Sequence, residues 1–187
     1  MDISNGERVG ISLFVQGCRF CCSNCFNKDT WDFNGGKEWT PEVEDKFIEL
    51  ASRPYIKRIS ILGGEPLADE NLDGVLNLIN KIRLLMPEKT IWLYTGYKAK
   101  LIQESIKTDD FWNDIDEEYS YFSFEPRDSF INTWKRIKIT KLVDVLVDGR
   151  YIDSQRDISL RWRGSKNQRV IDIKESLQQG EVVLYCE

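Results

Sequence analysis

Gly17-Cys18-Arg19-Phe20-Cys21-Cys22-Ser23-Asn24-Cys25-Phe26-Asn27 follows directly on the apolar run Ile11-Ser12-Leu13-Phe14-Val15. The run is short, apolar and closed by Gln16-Gly17, the pattern of a buried strand. A loop at the carboxyl end of such a strand is where α/β proteins place their chemistry. This one holds four of the chain's five cysteines, and thiols gathered so closely point to metal or redox chemistry rather than packing.

Outward from this loop, the order strand, loop, helix recurs. Thr40-Pro41-Glu42 is a helix start, with a capping hydroxyl, proline at the first helical position and an acid in the first turn. Val43, Phe47, Leu50 and Ala51 keep helical spacing until Pro54. Ile59-Ser60-Ile61-Leu62 reads as a second strand, followed by Gly63-Gly64-Glu65-Pro66. Leu72, Val75, Leu76, Ile79 and Ile82 predict a second amphipathic helix, ended by Pro87. Thr90-Ile91-Trp92-Leu93-Tyr94 predicts a third strand, then Thr95-Gly96-Tyr97 and a short helical pattern around Leu101, Ile102 and Ile106. Residues 109–141 run acidic, aromatic, then basic without a clean period and read as an insertion or surface subdomain. Leu142 to Val147 returns to strand, followed by Asp148-Gly149-Arg150, and the remainder reads as short strands and turns. Cys186 falls on the last of these strands and reads as a buried apolar residue.

Such alternation predicts one α/β domain, residues 1–187, with a largely parallel sheet and crossover helices. The four unusual loops, each after a predicted strand, should meet on one rim. A complete eight-unit barrel takes about 250 residues, so at 187 residues a partial, laterally open (β/α) barrel is expected.

Composition narrows the function. The net charge of −5 leaves no electrostatic footprint for nucleic acid and no polybasic membrane signal. No apolar run reaches transmembrane length and no signal peptide is evident, so a cytoplasmic protein is expected. The chain has no histidine. The commonest general base, Ser-His and Cys-His nucleophile pairs, and mixed Cys/His zinc sites are thereby excluded.

Cys18, Cys22 and Cys25 stand in C-x3-C-x2-C spacing, in which three thiolates can hold three corners of an iron–sulfur cluster and leave one iron open. Ordinary electron-transfer clusters take a fourth cysteine. Cys18/Cys21 and Cys22/Cys25 also form overlapping C-x2-C pairs, which leaves a zinc site or a dithiol pair as alternatives. Four zinc ligands in one short loop would be crowded, and a second adjacent pair has no role in a dithiol motif.

The three-cysteine spacing after a first strand, with Gly63-Gly64-Glu65-Pro66 after a second, resembles the radical S-adenosylmethionine enzymes. Further blocks are Leu13 to Cys18, Cys25 to Trp31, Leu62 to Leu67, Trp92 to Tyr97, Asp144 to Gly149 and Trp162-Arg163-Gly164-Ser165-Lys166-Asn167-Gln168-Arg169. Their order is similar to that of the activating proteins of anaerobic ribonucleoside-triphosphate reductase, a family of glycyl-radical activases.

The resemblance implies that Cys18, Cys22 and Cys25 ligate a [4Fe-4S] cluster whose open iron is chelated by S-adenosylmethionine. It implies cofactor contacts from Gly63, Gly64 and Glu65 to the methionyl end and from Asn24, Cys25 and Phe26 to the adenine. Thr95 and Asp148 become candidates for ribose or methionyl contacts. The implied reaction is reductive cleavage to a 5′-deoxyadenosyl radical that takes hydrogen from a glycine of the reductase large subunit, with a reduced flavodoxin-type electron donor. No protein acid or base is then needed, so no residue is assigned as catalytic.

Against the family pattern, Cys21 is additional and reads as a bystander thiol. A short strand and an Asn-Gly-Pro-Gly-x-Arg segment are expected upstream, where this chain has Asn5-Gly6-Glu7-Arg8. Trp162 is expected in the core and Arg163 on the surface, with Arg161 and Arg163 as candidates for facing a partner.

Overall fold

The computed structural model describes residues 1–98 and 130–186. Six strands form one sheet in the order β1-β2-β3-β4-β5-β6: Gly10–Val15, Arg58–Gly63, Thr90–Tyr94, Val145–Asp148, Arg169–Asp172 and Val183–Leu184. The first four run parallel to their neighbours, and β5 and β6 are antiparallel. The expected α/β class and largely parallel sheet are present. The sheet is open, with β1 at one edge and β6 at the other.

Parallel strands need crossovers, and helices supply them. These are α1 (Pro41–Ala51), α2 (Leu72–Leu85) and α3 (Phe130–Leu142), with α4 (Ile173–Gln179) between β5 and β6. Helix α1 begins as its sequence predicts: the Thr40 side chain accepts from Val43 N, with Pro41 at the first helical position.

The stretch read as an insertion divides differently. Residues 130–141 belong to α3, which precedes β4 and packs on the α2 side. Arg136 Nε donates to Leu67 O at 2.9 Å, and Lys135 pairs with Asp73 at 2.6 Å. Its lysines and arginines hid the helical period because several are spent on neighbours rather than on solvent. The rest of that stretch, and the helical pattern at Leu101 to Ile106, lie outside the described residues. Two further expectations are corrected. Leu142 ends α3, so the strand starts at Val145. The tail also contains α4, capped by the Asp172 side chain on Glu175 N and ended by Gly180 at φ 74°; seven residues were too few to register as a period. Cys186 follows β6 and is only partly buried.

The pleat sorts the strands into two faces. Ile59, Ile61, Ile91, Leu93, Leu146 and Ile171 pack under the helices as the main core. On the inner face, Phe14 registers with Leu62, and Tyr94 with Val147 and then Val170. Below them Trp92 meets Trp162 at 5.0 Å and Tyr185 at 5.3 Å.

Residues 2–7 close the lower part of this face, held by the fully buried Arg58. Its guanidinium donates to the carbonyls of Glu7 (3.0 Å), Asn5 (2.6 Å) and Asp2 (3.1 Å), and to the Asp2 carboxylate (3.0 Å). Burial alone would raise the Asp2 pKa. Hydrogen bonds from Ser12, Ser4 N and Arg58 outweigh it and hold the carboxyl at about 2. The upper part of the face stays open.

Candidate functional site

The four loops at the carboxyl ends of β1 to β4 meet on one rim, as their sequence positions predict. Around them lies a cavity of about 500 Å³, lined by Cys18, Cys22, Cys25, Gly64, Glu65 and Thr95 among others. This volume lies within the usual range for small-molecule sites.

The cysteine loop is closed on itself and anchored beneath. Gly17 N and Cys18 N donate to Thr30 O (2.9 Å) and Trp31 O (3.0 Å), and Cys25 N donates to Cys22 O at 3.2 Å. Gly64 N and Glu65 N reach across from the second loop to Val15 O (2.8 Å) and Gly17 O (2.7 Å). Cys21 and Asn24 adopt φ of 47° and 54°, a left-handed conformation that turns the chain sharply. In consequence Cys21 is exposed, while Cys18, Cys22 and Cys25 are half-buried in the cavity wall.

The glycines explain themselves by sterics. A Cβ on Gly64 would lie 2.5 Å from Gly17 O, and one on Gly63 (φ 109°) would lie 2.9 Å from the backbone of Phe14 and Val15. Sequence reasoning ascribed them to the approach of a ligand. Their first requirement in this structure is the approach of the cysteine loop.

Glu65 is buried, and its carboxylate accepts from Leu67 N (2.9 Å), Thr95 Oγ1 (2.7 Å) and Gly96 N (2.8 Å). It thereby joins the second loop to the third. Burial pushes its pKa up to about 7, against the lowering effect of those hydrogen bonds and of Arg136. Thr95 gives its hydroxyl proton to Glu65 and accepts from Tyr97 N at 3.1 Å, so its hydrogen bonds are spent inside the wall. Asp148 is buried too, with both carboxylate oxygens engaged by Arg169. Thr95 and Asp148, candidates for ribose or methionyl contacts, thus each carry bonds within the wall of the site.

Asn24 Nδ2 donates to Asp153 Oδ2 (2.9 Å), and Asp153 Oδ1 accepts from the Tyr151 hydroxyl (2.8 Å). Phe26 stands exposed at the cavity mouth, its ring 5.6 Å from that of Tyr151 and 5.3 Å below the Arg156 guanidinium. Arg150 lies 4.5 Å over Phe20 and donates to Phe20 O. Arg150 and Tyr151 line the cavity and Asp153 holds Asn24 and Tyr151; sequence reasoning gave none of the three a role, their only signal being proximity to Asp148-Gly149. Arg163, expected on the surface, lines the cavity.

Burial pushes the Cys18 thiol up to about 11, with Glu65, Cys22 and Cys25 adding to the rise, and Cys22 is also raised by burial. Such thiols are held protonated until a cation takes the proton's place. Among the described residues no three Cys, His, Asp or Glu side chains converge on a single-ion site. Cys18, Cys22 and Cys25 all line the same cavity.

A family profile described as a 4Fe-4S single cluster domain matches residues 4–171, so the class defined by this site is a single-cluster iron–sulfur protein. Curated relatives are more particular. The chain is 36% identical over 172 residues to the anaerobic ribonucleoside-triphosphate reductase-activating protein of Escherichia coli K12, covering 91% of this chain and 92% of that protein. The protein of that name from Vibrio cholerae is 34% identical (90% of each chain), and that from bacteriophage T4 is 31% identical (90% and 87%). This chain belongs to the family of anaerobic ribonucleoside-triphosphate reductase-activating proteins. No solved structure matches it.

Proposed function

We propose that this chain is the activase of an anaerobic ribonucleoside-triphosphate reductase, a radical S-adenosylmethionine enzyme acting in the cytoplasm. Cys18, Cys22 and Cys25 hold a [4Fe-4S] cluster, and S-adenosylmethionine occupies the cavity beside it. When bound, the two supply reductive cleavage to a 5′-deoxyadenosyl radical, which takes hydrogen from a glycine of the reductase. The observation that carries this reading is the set of three thiols on one cavity wall with Cys21 turned outward, in a chain whose relatives bear that name.

The chain's own part is to bind, orient and exclude water. Phe26 offers an aromatic face to the adenine, flanked by Asn24 and the Cys25 backbone. Gly63 and Gly64 bring the second loop against the cysteine loop, and Glu65 fixes the third. Thr95 and Asp148 keep the rim rigid. The open sheet leaves a lateral approach for a macromolecular substrate, the feature for which a partial barrel suits an activase, and a flavodoxin-type protein serves as electron donor.

Anaerobic reconstitution tests this. Protein with about four iron atoms should cleave S-adenosylmethionine under dithionite and, with the reductase large subunit, produce a glycyl-radical signal by electron paramagnetic resonance. A colourless zinc protein, or a cluster that leaves S-adenosylmethionine intact, would refute it.

A further inference from the structure

Cys21 and Cys22 are adjacent, yet Cys21 is exposed and Cys22 lines the cavity. Rotation of the backbone at this pair would exchange their thiols. The left-handed φ of 47° at Cys21, with 54° at Asn24, is a sparsely populated conformation that persists only where the surroundings hold it.

The holding contacts come from one segment, residues 149–153 after β4. Arg150 Nη2 donates to Phe20 O at 3.1 Å, and its guanidinium lies over the Phe20 ring, just before Cys21. Asp153 Oδ2 accepts from Asn24 Nδ2 at 2.9 Å, two residues after Cys22. The segment Cys21-Cys22-Ser23 is thus gripped at both ends. Burial raises the Cys22 pKa and Cys25 adds to the rise, while the Arg150 charge and a hydrogen bond from the Tyr151 backbone N–H partly offset it. The same segment therefore meets Cys22 itself.

This segment is locked from behind by side chains of the Trp162 to Arg169 block. Asn167 Nδ2 donates to Arg150 O (2.7 Å), Gln168 Nε2 donates to Gly149 O (2.9 Å), and the buried Ser165 hydroxyl accepts from Ile152 N (3.2 Å). Gln168 Oε1 in turn accepts from Gly164 N and Ser165 N, and Asn167 Oδ1 from the Ser165 hydroxyl. Groups that orient a ligand belong to a metal site as much as the ligand does.

We propose that residues 149–153 form a clamp that selects Cys22 over Cys21 as a cluster ligand, with Ser165, Asn167 and Gln168 as its lock. Arg150, Asp153 and the lock are positioning residues. The inference rests on the reading of Cys18, Cys22 and Cys25 as cluster ligands.

The test compares full-length wild type with R150A, D153A and the double variant N167D/Q168E, which keeps the acceptor oxygens and loses the amide donors to the clamp. Before reconstitution, iodoacetamide labelling read by peptide mass spectrometry should modify Cys21 faster than Cys22 in wild type. That ratio should fall roughly three- to tenfold in each variant, the scale of one lost hydrogen bond. D153N, which can accept from Asn24 and donate to Tyr151, should restore it. After reconstitution, D153A should lose iron to a chelator faster by a similar factor, and C21S added to D153A should slow that loss, because the competing thiol is gone.

An unchanged ratio in R150A and D153A overturns the inference. So does a rise in labelling shared equally by Cys18, Cys22 and Cys25, or iron loss from D153A that C21S does not slow. Wild-type protein that takes up no iron refutes the cluster reading itself, and this one with it, before any variant is compared.

Discussion

Replacing Glu65 by Gln should change stability in a way that depends on pH, and the structure sets both sign and size. The carboxylate takes three donors: Leu67 N, Thr95 Oγ1 and Gly96 N. A glutamine presents one acceptor oxygen and one NH2, so at least one backbone N–H faces another donor, at a cost of about 1–3 kcal/mol. Against this stands the burden of the buried charge. Burial raises the folded pKa to about 7 from 4.5, so the folded state binds the proton more tightly than the unfolded chain does. Wild-type stability therefore declines as pH rises from about 4.5 to 7. At about 1.4 kcal/mol per unit, the decline is on the order of 3 kcal/mol. Glutamine carries no charge and escapes it. Near pH 5 E65Q should be less stable than wild type by about 1–3 kcal/mol; near pH 8 the deficit should vanish or reverse. Urea unfolding of both proteins between pH 5 and 8 measures this, and the difference cancels the other titrating groups. A gap that stays constant across that range would refute the reasoning.

Three further outcomes are expected. C21S should retain about four iron atoms and activity within about twofold of wild type, whereas Ser at Cys18, Cys22 or Cys25 should lose the cluster, as iron analysis and the visible spectrum will report. G64A, with a Cβ 2.5 Å from Gly17 O, should cost about 1–3 kcal/mol and lower iron retention, because the displaced backbone is the base of the cysteine loop. R58M removes the buried guanidinium that donates to the Asp2 carboxylate and to three carbonyls and should cost about 3–5 kcal/mol in urea; a loss below about 1 kcal/mol would mean that residues 2–7 hold to the sheet without it.

The parallel strands and α1 and α2 were legible because apolar periodicity and capping chemistry coincide there: Ile59 to Leu62 is buried throughout, and Thr40-Pro41 starts α1 with the bond its composition predicts. Helix α3 was not, since its charged residues break the apolar period: Arg136 and Lys135 are held by Leu67 O and Asp73. In the site, cysteine spacing left overlapping pairings open and only the family pattern set Cys21 apart; the outward turn of Cys21 comes with the positive φ at Cys21 and Asn24, which spacing does not encode. The engagement of Asp148 with Arg169, and of Thr95 with Glu65, could not be read. Each depends on which neighbour claims a polar side chain first, and that is decided by packing between distant segments. Arg163 is the reverse case, a charged residue that reads as surface yet is left on the cavity wall with Nε unpaired.

The floor beneath the cavity has a consequence for biosynthesis. Asn5 covers Ser60 near one end of the chain, Trp162 and Tyr185 lie on Trp92 near the other, and Tyr185 Oη donates to Glu7 at 2.6 Å. The cysteine loop has its anchors as soon as β2 is made, but its pocket has no floor until residue 185 has left the ribosome and folded back. Assembly of the pocket thus waits on distant segments, and a nascent chain stalled before Trp162 would display its thiols without that floor.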